Sequence, residues 1–414
     1  MAALFIASMA LLIFASSESQ AQTFTVLHTF TGENDGGYPA SGLLLDAAGN
    51  LYGETSWGGD FPANCSVGCG TVFKLGRHGT NWFLSTLYAF KAGNDGAYPA
   101  GIYRAADGTI YGVTSGGGID GCVNNRGCGT VFKLTPSAAA CHSALCPWTE
   151  TVLYRFTGSY DGGQPGGNPI FDSAGNLYDT AEAGGYGYGV AFKLSPSGGS
   201  WTESVLYAFT GQRDANGPNQ GMIFDHQGNL DGLTASGGEN YWGTVFQLTP
   251  TQDGWTETLI HQFDEYDGGN PTGGLLLDGQ GNLYASAPYG TSGWSGLVFE
   301  LTPGPYWSFY SLYNFNAGEG YYGPFASLIM DAAGDIYGTT HSTGAYHKGV
   351  VFKLTPSGGG WTYTSLHDFT GGSDGAGPDY LVMDASGNLF GEASTGAGDG
   401  CYNQGCGVIF EITP

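Results

Sequence analysis

The sequence predicts an all-β fold, a seven-bladed β-propeller whose blades contain four strands each. Two observations predict it. A segment of the form Trp-Thr-x-x-x-Leu-Tyr-x-Phe recurs along the chain and ends at Phe30, Phe90, Phe156, Phe209, Phe263, Phe315 and Phe369. Each unit also contains four short apolar or aromatic runs bounded by turn residues, which is typical of strands. Such a repeat, sustained along the chain, indicates a repeat architecture, and four strands per unit favour a propeller.

The fifth unit shows how the strands of one blade are predicted. Gly274–Asp278 is a short apolar run, Asn282–Ser286 follows a tight Asp-x-x-Gly-Asn turn, and a Gly-rich loop leads to Leu297–Leu301. A fourth strand then runs from Trp307 to Phe315. The first hairpin resembles the blade turn of NHL-type and gluconolactonase-like propellers, in which the preceding strand lines the central channel. That resemblance implies that Gly274–Asp278 is the innermost strand and that the fourth strand is outermost.

The two ends of the chain predict how the ring closes. A strand of the outermost type, residues 24–30, precedes the first complete unit, whereas the last unit, residues 380–412, supplies only three strands. We therefore expect strand 24–30 to complete the last blade, because this pairing removes an exposed sheet edge. Residues 22–414 are accordingly predicted to form a single propeller domain.

The N-terminal residues predict export. Residues 1–21 contain an apolar run followed by small residues, which is typical of a secretory signal and too short for a membrane span. We expect a secreted protein, extracellular or at the cell surface, without membrane insertion. Asn64 begins a glycan-acceptor sequence, as is found in secreted proteins.

The cysteines are consistent with export. The eight cysteines form four close pairs, which are Cys65 with Cys69, Cys122 with Cys128, Cys141 with Cys146, and Cys401 with Cys406. Four local disulfides are the favoured interpretation, because the count is even and the chain carries an export signal. A zinc site is the alternative, and it is less favoured since no Cys-x-x-Cys spacing occurs.

The charge composition excludes two classes of partner. The net charge is −25, although only 11 % of the residues are charged and Lys plus Arg total 11. Binding to nucleic acid requires clustered cations against phosphates, and binding to an anionic membrane surface has the same requirement. We therefore expect neither partner.

A ring of carboxylates is the first candidate ligand site. Each loop after a recurring Phe contains an acidic residue, and these are Asp35, Asp95, Asp161, Asp214, Asp267, Glu319 and Asp374. One interpretation is an acidic ring at the channel mouth that holds Ca²⁺ or a cationic ligand. The favoured interpretation is structural, because Asp-Gly and Asp-Ala are turn dipeptides whose carboxylate bonds its own backbone. No other cofactor is expected.

Aromatic residues are the second candidate. Most Trp residues open the outermost strands and are expected to pack there, whereas Trp57 and Trp242 lie in loops and are the better candidates for stacking against a sugar. No catalytic residues are predicted. Glu54, Glu392, Tyr103 and Arg104 break the repeat without forming an evident acid–base pair. A metal site at His341 and His347 is less favoured, since no third ligand is apparent.

The repeat motif resembles a known family. Gly-Asn-Leu-Tyr-Gly-x-Thr followed by Gly-Thr-Val-Phe-Lys-Leu, seen at Gly49–Thr55 with Gly70–Leu75, is similar to the GloVer tandem repeat of secreted bacterial proteins. Gly108–Thr114 with Gly129–Pro136 is a second copy. The resemblance implies export and a repeat fold, but it implies no catalytic residues. Enzymatic activity is therefore not the favoured expectation.

Two functional hypotheses follow. The first is a non-enzymatic extracellular protein with a structural or adhesive role, in which strand 24–30 closes the ring of a neighbouring copy and links subunits head to tail into fibres. The second is a propeller that binds or cleaves carbohydrate on the face carrying the long loops. The expected partner is therefore either a second copy of the chain or an extracellular glycan.

Overall fold

The computed structural model describes residues 22–39, 41–63, 65–79, 81–122, 126–136, 148–218, 220–290, 295–316 and 323–413. Several predictions from the sequence lie outside the described residues. They are the signal segment 1–21, the glycan acceptor Asn64, the disulfide between Cys141 and Cys146, and the acidic residue Glu319.

The described strands form seven antiparallel blades around a common centre. Blade 1 contains β2 (Leu44–Leu45), β3 (Leu51–Thr55), β4 (Thr71–His78) and β5 (Asn81–Ala89), and blade 2 contains β6 (Ala97–Arg104), β7 (Ile110–Gly116), β8 (Thr130–Thr135) and β9 (Thr149–Arg155). Blade 3 contains β10 (Gly163–Pro165), β11 (Ile170–Phe171), β12 (Leu177–Ala183), β13 (Val190–Ser197) and β14 (Ser200–Ala208). Blade 4 contains β16 (Met222–Phe224), β17 (Leu230–Thr234), β19 (Thr244–Thr251) and β20 (Gly254–Gln262), with a separate ribbon of β15 (Ala215–Asn216) and β18 (Ser236–Gly237).

The remaining three blades repeat the pattern. Blade 5 contains β21 (Thr272–Leu277), β22 (Leu283–Ala287), β23 (Leu297–Thr302) and β24 (Ser308–Asn314), and blade 6 contains β25 (Ile329–Met330), β26 (Ile336–Thr340), β27 (Val350–Ser357) and β28 (Gly360–Asp368). Blade 7 contains β29 (Ala376–Met383), β30 (Leu389–Thr395), β31 (Val408–Thr413) and β1 (Thr23–Thr29). Helix within the described residues is confined to a 3-10 turn, Gly93–Asp95, and one short turn, Gly400–Asn403. The prediction of an all-β, seven-bladed propeller is confirmed.

The N-terminal strand closes the ring, as the sequence predicts. β1 pairs with β31 in antiparallel register from Thr23 opposite Thr413 to Thr29 opposite Val408, with a bulge between Val26 and His28. The last blade thereby acquires four strands, in the order β1-β31-β30-β29.

The recurring Phe residues explain why neighbouring blades pack together. Phe209 is fully buried, its N–H donates to the carbonyl of Gly189 at 3.0 Å, and its ring meets Phe246 of the next blade edge-on with centroids 5.1 Å apart. The same backbone bond and edge-to-face contact recur at all seven blade boundaries. The ring pairs are Phe30–Phe73, Phe90–Phe132, Phe156–Phe192, Phe209–Phe246, Phe263–Phe299, Phe315–Phe352 and Phe369–Phe410. Each pair combines a large buried apolar area with the ring geometry that aromatic quadrupoles favour.

Disulfides fix the loops between the second and third strands of three blades. Three of the four predicted bonds fall within the described residues and are present, namely Cys65–Cys69, Cys122–Cys128 and Cys401–Cys406. The fourth predicted bond, which would join Cys141 to Cys146, falls in the segment 137–147 outside the described residues and stays a prediction. Disulfides of this kind indicate an oxidising compartment. Among the described residues, no helix is long and apolar enough to cross a membrane.

The second cysteine of each described pair also contacts the blade that follows in the ring. The Cys406 carbonyl accepts the N–H of Tyr38 at 2.9 Å, and the carbonyls of Cys69 and Cys128 accept the N–H groups of Tyr98 and Gln164 in the same way. Tyr38 precedes a proline and lies at φ 58°, a left-handed conformation that this hydrogen bond helps to hold. The disulfides thus position the loops that lead into the innermost strands.

Candidate functional site: a polar cavity at the centre of the ring

The six described carboxylates of the predicted acidic ring lie beside the outermost strands. In each loop the carboxylate accepts the backbone N–H that follows the recurring Phe. The hydrogen-bonded pairs are Thr31–Asp35, Lys91–Asp95, Thr157–Asp161, Thr210–Asp214, Asp264–Asp267 and Thr370–Asp374. The same carboxylate also meets the Tyr or His of its outermost strand, as Asp161 does with the Tyr154 hydroxyl at 2.9 Å. These contacts occupy the carboxylate oxygens within the turn, and the proposed role in holding Ca²⁺ or a cationic ligand stays a prediction.

Glutamates of the neighbouring blades face this ring of turns. Burial raises the pKa of Glu203 on β14 to about 7, and the nearby Asp161 carboxylate raises it further. Burial and Asp214 raise the pKa of Glu257 on β20 to about 8 in the same way. The acidic ring therefore follows the boundaries between outermost strands, away from the centre of the propeller.

The two candidate tryptophans lie in different blades and have different surroundings. Trp57 follows β3 of blade 1, stacks on Tyr38 with centroids 4.7 Å apart, and meets the exposed ring of Tyr402 at 6.1 Å. Trp242 lies in blade 4, where its carbonyl accepts the Asn270 N–H at 2.7 Å and its ring covers Gly269 so closely that a Cβ there would lie 2.4 Å from it. In the repeat, Trp242 occupies the position of the cysteines Cys69, Cys128 and Cys406. The geometry thus favours Trp57 as the ligand candidate and gives Trp242 a packing role. We call Tyr38, Trp57 and Tyr402 the aromatic shelf.

A polar cavity of about 220 Å³ lies at the centre, and all seven blades contribute to its lining. The lining residues precede or lie within the innermost strands; they are Ser41, Ala100, Gly166, Gly167, Asn168, Gln220, Gly273, Phe325, Ser327, Asp379 and Tyr380. Most of them are small, which keeps the central opening accessible. The Tyr380 hydroxyl donates to Gln220 Oε1 at 3.2 Å and so connects blade 7 to blade 4 across the cavity.

Three buried acids lie in or behind this lining where blade 7 meets blade 1. Glu54 on β3 and Glu392 on β30 occupy the same repeat position in adjacent blades, and both are fully buried. The Gly42 N–H donates to Glu392 Oε1 at 2.6 Å, whereas both Glu54 oxygens and Glu392 Oε2 lack a partner at hydrogen-bonding geometry. Asp379, which lines the cavity itself, is the third acid.

Burial dominates the electrostatics of this group. It raises the pKa of Glu54 to about 8, an effect partly offset by the Ser41 side chain and reinforced by Glu392. It raises the pKa of Glu392 to about 8 as well, against the backbone donors of Gly42 and Ser41. Burial and the neighbouring Glu392 also raise the pKa of Asp379 well above its usual value. Desolvation disfavours the charged form of each group, and with a pKa of about 8 Glu54 and Glu392 are largely protonated at neutral pH.

A fourth acid approaches the cavity from blade 3. Asp179 on β12 is fully buried, accepts the Thr180 N–H at 2.8 Å through Oδ1 and leaves Oδ2 without a partner. A Cβ on Gly167 would lie 2.4 Å from Asp179 Oδ1, so this carboxyl lies directly behind the lining. Burial raises its pKa to about 8. Sequence reasoning missed Asp179, although its position is Gly or Ala in every other blade.

The aromatic shelf is connected to the buried acids through Tyr38. Burial raises the pKa of the Tyr38 phenol, and the nearby Asp379 carboxyl raises it further. One face of the Tyr38 ring therefore supports Trp57, while its hydroxyl end lies near the acid that lines the cavity. The structure brings Glu54 and Glu392 together, two residues that the sequence marks only as separate departures from the repeat.

His341 lies at the edge of the central cavity. His341 of blade 6 lies against Gly377, where a Cβ would be 2.7 Å from Nε2, and its ring is 6.0 Å from Phe325 of the cavity lining. Burial lowers the pKa of His341, which favours the neutral ring at pH 7. His347 lies in the loop that follows, at φ 55°. Within the residues that the structure describes, no three His, Cys, Asp or Glu side chains are arranged to hold a metal ion.

The arrangement defines a class of protein: a β-propeller with a polar, acid-rich central pocket next to a partly exposed aromatic surface. A family model, the Gloeobacter/Verrucomicrobia repeat, matches residues 12–146 and 124–329. The chain belongs to this repeat family, which confirms the resemblance of its motifs. A comparison with curated proteins finds no match.

Solved structures share the architecture at low sequence identity. An ulvan lyase from a new family of polysaccharide lyases is 11 % identical, with a TM-score of 0.55 over 93 % of this chain and 94 % of its own. The extracellular domain of a hybrid two-component system from B. thetaiotaomicron is 10 % identical, with a TM-score of 0.54 over 94 % of this chain and 39 % of that one. An aldose sugar dehydrogenase from Streptomyces coelicolor is 12 % identical, with a TM-score of 0.44 over 94 % and 98 %. The similarities to the lyase and to the extracellular domain show the propeller fold alone.

Proposed function

We propose that this protein binds a neutral carbohydrate, with a sugar ring stacked on the aromatic shelf and an adjoining residue held over the central cavity. The observation that carries the proposal is the juxtaposition made by Tyr38, which stacks on Trp57 and lies beside Asp379 of the cavity lining. Apolar faces and hydroxyl edges of sugars require such a combination of aromatic surface and convergent polar groups.

The protonated acids favour a neutral ligand. Neutral carboxyls both donate and accept hydrogen bonds, which suits the hydroxyl groups of a sugar. No Lys, Arg or His is among the described residues that line the cavity, so nothing in this lining balances a uronate or a sulfate. The ulvan lyase has been solved with a bound saccharide that contains glucuronate and sulfated rhamnose, and we expect a different preference here.

Secretion belongs to the same proposal. Three disulfides support an oxidising compartment, and the composition of residues 1–21 supports export. An extracellular glycan is therefore the expected partner.

A glycan array with the purified protein tests this function. We expect retention of neutral oligosaccharides, and isothermal titration of the best hit with Trp57→Ala should show about tenfold weaker binding, the equivalent of ~1.4 kcal/mol. Tyr306→Ala is the matched control, because Tyr306 is 89 % exposed and lies on a turn of blade 5. Failure to bind any neutral glycan, or equal affinity of the Trp57→Ala variant, would refute the proposal.

A second candidate is self-assembly by exchange of β1. The observation that favours it is the position of β1 at the edge of its sheet, where backbone pairing with β31 attaches it to blade 7. A β31 strand of a neighbouring copy presents the same pattern of donors and acceptors. Negative-stain electron microscopy distinguishes the two candidates: fibres that vanish when residues 22–29 are removed support exchange, whereas isolated rings at every concentration contradict it.

A further inference from the structure

Blade 4 departs from the repeat at the second residue of its second strand. Six blades carry an aromatic residue there, whereas blade 4 carries an acid; the seven residues are Tyr52, Tyr111, Tyr178, Asp231, Tyr284, Tyr337 and Phe390. The residue paired with this position on the third strand is charged in every other blade. The seven paired residues, with the uncharged Gln247 in blade 4, are Lys74, Lys133, Lys193, Gln247, Glu300, Lys353 and Glu411.

The usual pair fills space and balances charge. In blade 6 the Lys353 ammonium lies 5.3 Å from the centroid of the Tyr337 ring, and the Tyr337 hydroxyl donates to the hairpin carboxylate of Asp331 at 3.0 Å. In blade 3 the Lys193 ammonium lies 6.0 Å from the Tyr178 ring. An ammonium over an aromatic face, with a carboxylate nearby, is a favourable and compact arrangement.

Blade 4 has lost both the ring and the cation. Asp231 is only 1 % exposed; its Oδ1 accepts a hydrogen bond from Gln247 Nε2 at 2.8 Å, and its Oδ2 has no partner. The hairpin carboxylate of Asp225 remains, held by Asn229 Nδ2 at 2.7 Å and lying near Gln247 Nε2 at 3.4 Å. Two acids therefore face one space with no Lys or Arg among its described lining residues.

A cavity of about 320 Å³ occupies this space between blades 4 and 5. The two carboxylates and the Gln247 amide form its polar wall, and Leu277 and Trp307 form an apolar wall. His226 stands at the rim, with Nε2 3.0 Å from the carbonyl oxygen of Asp278. The cavity lies at the turns between first and second strands, so it is separate from the aromatic shelf.

We propose that this cavity binds a primary ammonium group carried on a short apolar stem. The ammonium would take the place of the repeat lysine between Asp225 and Asp231, and the stem would pack where the repeat tyrosine is missing, against Leu277 and Trp307. An unpartnered buried carboxylate is costly, and a cationic donor satisfies both its charge and its hydrogen-bonding capacity. A hard metal ion fits less well, because it requires six or more oxygen ligands and one wall is apolar.

Proton binding competes with the ammonium. Burial raises the pKa of Asp231 to about 7, with Gln247 lowering it and the Asp225 charge raising it further. The titratable groups among the lining residues are Asp225, His226 and Asp231. Asp231 attracts a cation only in its ionised form, and a higher pH increases the fraction of ionised Asp231. The affinity for an amine is therefore expected to increase from pH 6 to pH 8, a range in which the amine itself stays protonated.

Isothermal titration with pentylamine tests the site, with pentanol and CaCl₂ as comparison ligands. We expect pentylamine alone to bind, more tightly at pH 8 than at pH 6. The double variant Asp231→Tyr/Gln247→Lys restores the residues of blades 1, 2, 3 and 6, so it should fold and should bind pentylamine at least tenfold more weakly. Its melting temperature, measured by calorimetry, confirms that it is folded.

Three outcomes would overturn this inference. Binding of CaCl₂ in preference to pentylamine would identify a metal site, equal binding of pentanol would identify an apolar pocket, and unchanged pentylamine binding by the folded double variant would place the amine elsewhere. None of these outcomes bears on the glycan site, because neither the aromatic shelf nor the central cavity is altered.

Discussion

Replacing Glu54 by Gln is expected to stabilise the protein at alkaline pH and to leave it nearly unchanged at acid pH. The substitution keeps the size and shape of the side chain and removes its ionisation. Burial raises the pKa of Glu54 from 4.5 to about 8, so the folded state holds a proton that the unfolded state has released. A group whose pKa is raised by folding contributes stability below its unfolded pKa and loses it as the pH rises through its folded pKa.

The size of the change in stability follows from the difference between the pKa of Glu54 in the folded and in the unfolded state. Between pH 5 and pH 8 the linkage relation gives a loss of roughly 3–4 kcal/mol for one such group. An unfolding entropy of about 2.1 cal/mol/K per residue gives about 0.8 kcal/mol/K for a domain of this length. Glu54→Gln should therefore raise the melting temperature by about 4 °C at pH 8 and by less than about 1 °C at pH 5.

Differential scanning calorimetry of the wild type and the variant from pH 5 to pH 8.5 measures this difference. The wild type itself should lose stability across the range, because burial also raises the pKa of Glu392, Asp179 and Glu257 to about 8. Glu239→Gln is the control, since Glu239 is exposed on a loop of blade 4. Parallel pH profiles for the wild type and Glu54→Gln would show that Glu54 is not protonated in the folded state and would refute the reasoning.

Two further predictions concern the framework of the ring. Phe209→Ala removes a fully buried ring at the boundary between blades 3 and 4 and should lower the free energy of unfolding by about 3–5 kcal/mol in urea titrations; the exposed Phe83→Ala, a substitution in the same type of strand, should cost far less. Cys122→Ser/Cys128→Ser removes a disulfide of sequence separation 6 and should cost ~2 kcal/mol in the same assay. Equal losses for both Phe variants, or a double Ser variant as stable as the wild type, would contradict these expectations.

The fold could be predicted because each blade repeats the same order of strand and turn residues. In blade 5 the predicted strands Gly274–Asp278 and Trp307–Phe315 are observed as Thr272–Leu277 and Ser308–Asn314, a difference of one or two residues at each end. Closure by the N-terminal strand also followed from the sequence, because the last unit lacks an outermost strand. A single short apolar run can be either a strand or part of a buried helix, and its recurrence in seven units with the same turns favours a strand.

The candidate site was less predictable from the sequence. A sequence repeat shows which strand or loop of a blade carries a residue, but it does not show how far the side chain lies from the axis of the ring. Asp35 and its equivalents were expected at the channel mouth, whereas their hydrogen bonds place them beside the outermost strands. Glu54 and Glu392 were visible as departures from the repeat, yet they lie 338 positions apart in the chain and become neighbours only when the ring closes. Closure also brings Tyr38 next to Asp379 of blade 7.

The other blades show which residues the fold accepts at the position of Glu54 and Glu392, and so allow the cost in folding free energy of burying these two acids to be judged. At the position of Glu54 and Glu392, blade 2 carries Val113 and blade 4 carries Leu233, both buried, so the fold accepts apolar residues there. A buried carboxyl with unpartnered oxygens is a poor substitute for Val or Leu in terms of folding free energy. Its presence in two adjacent blades is explained if the acids serve a bound ligand. The Glu54→Gln variant tests whether Glu54 serves ligand binding. If the variant gains stability at pH 8 but loses glycan affinity, Glu54 has a functional role. If it gains stability and its glycan affinity is unchanged, Glu54 has no such role.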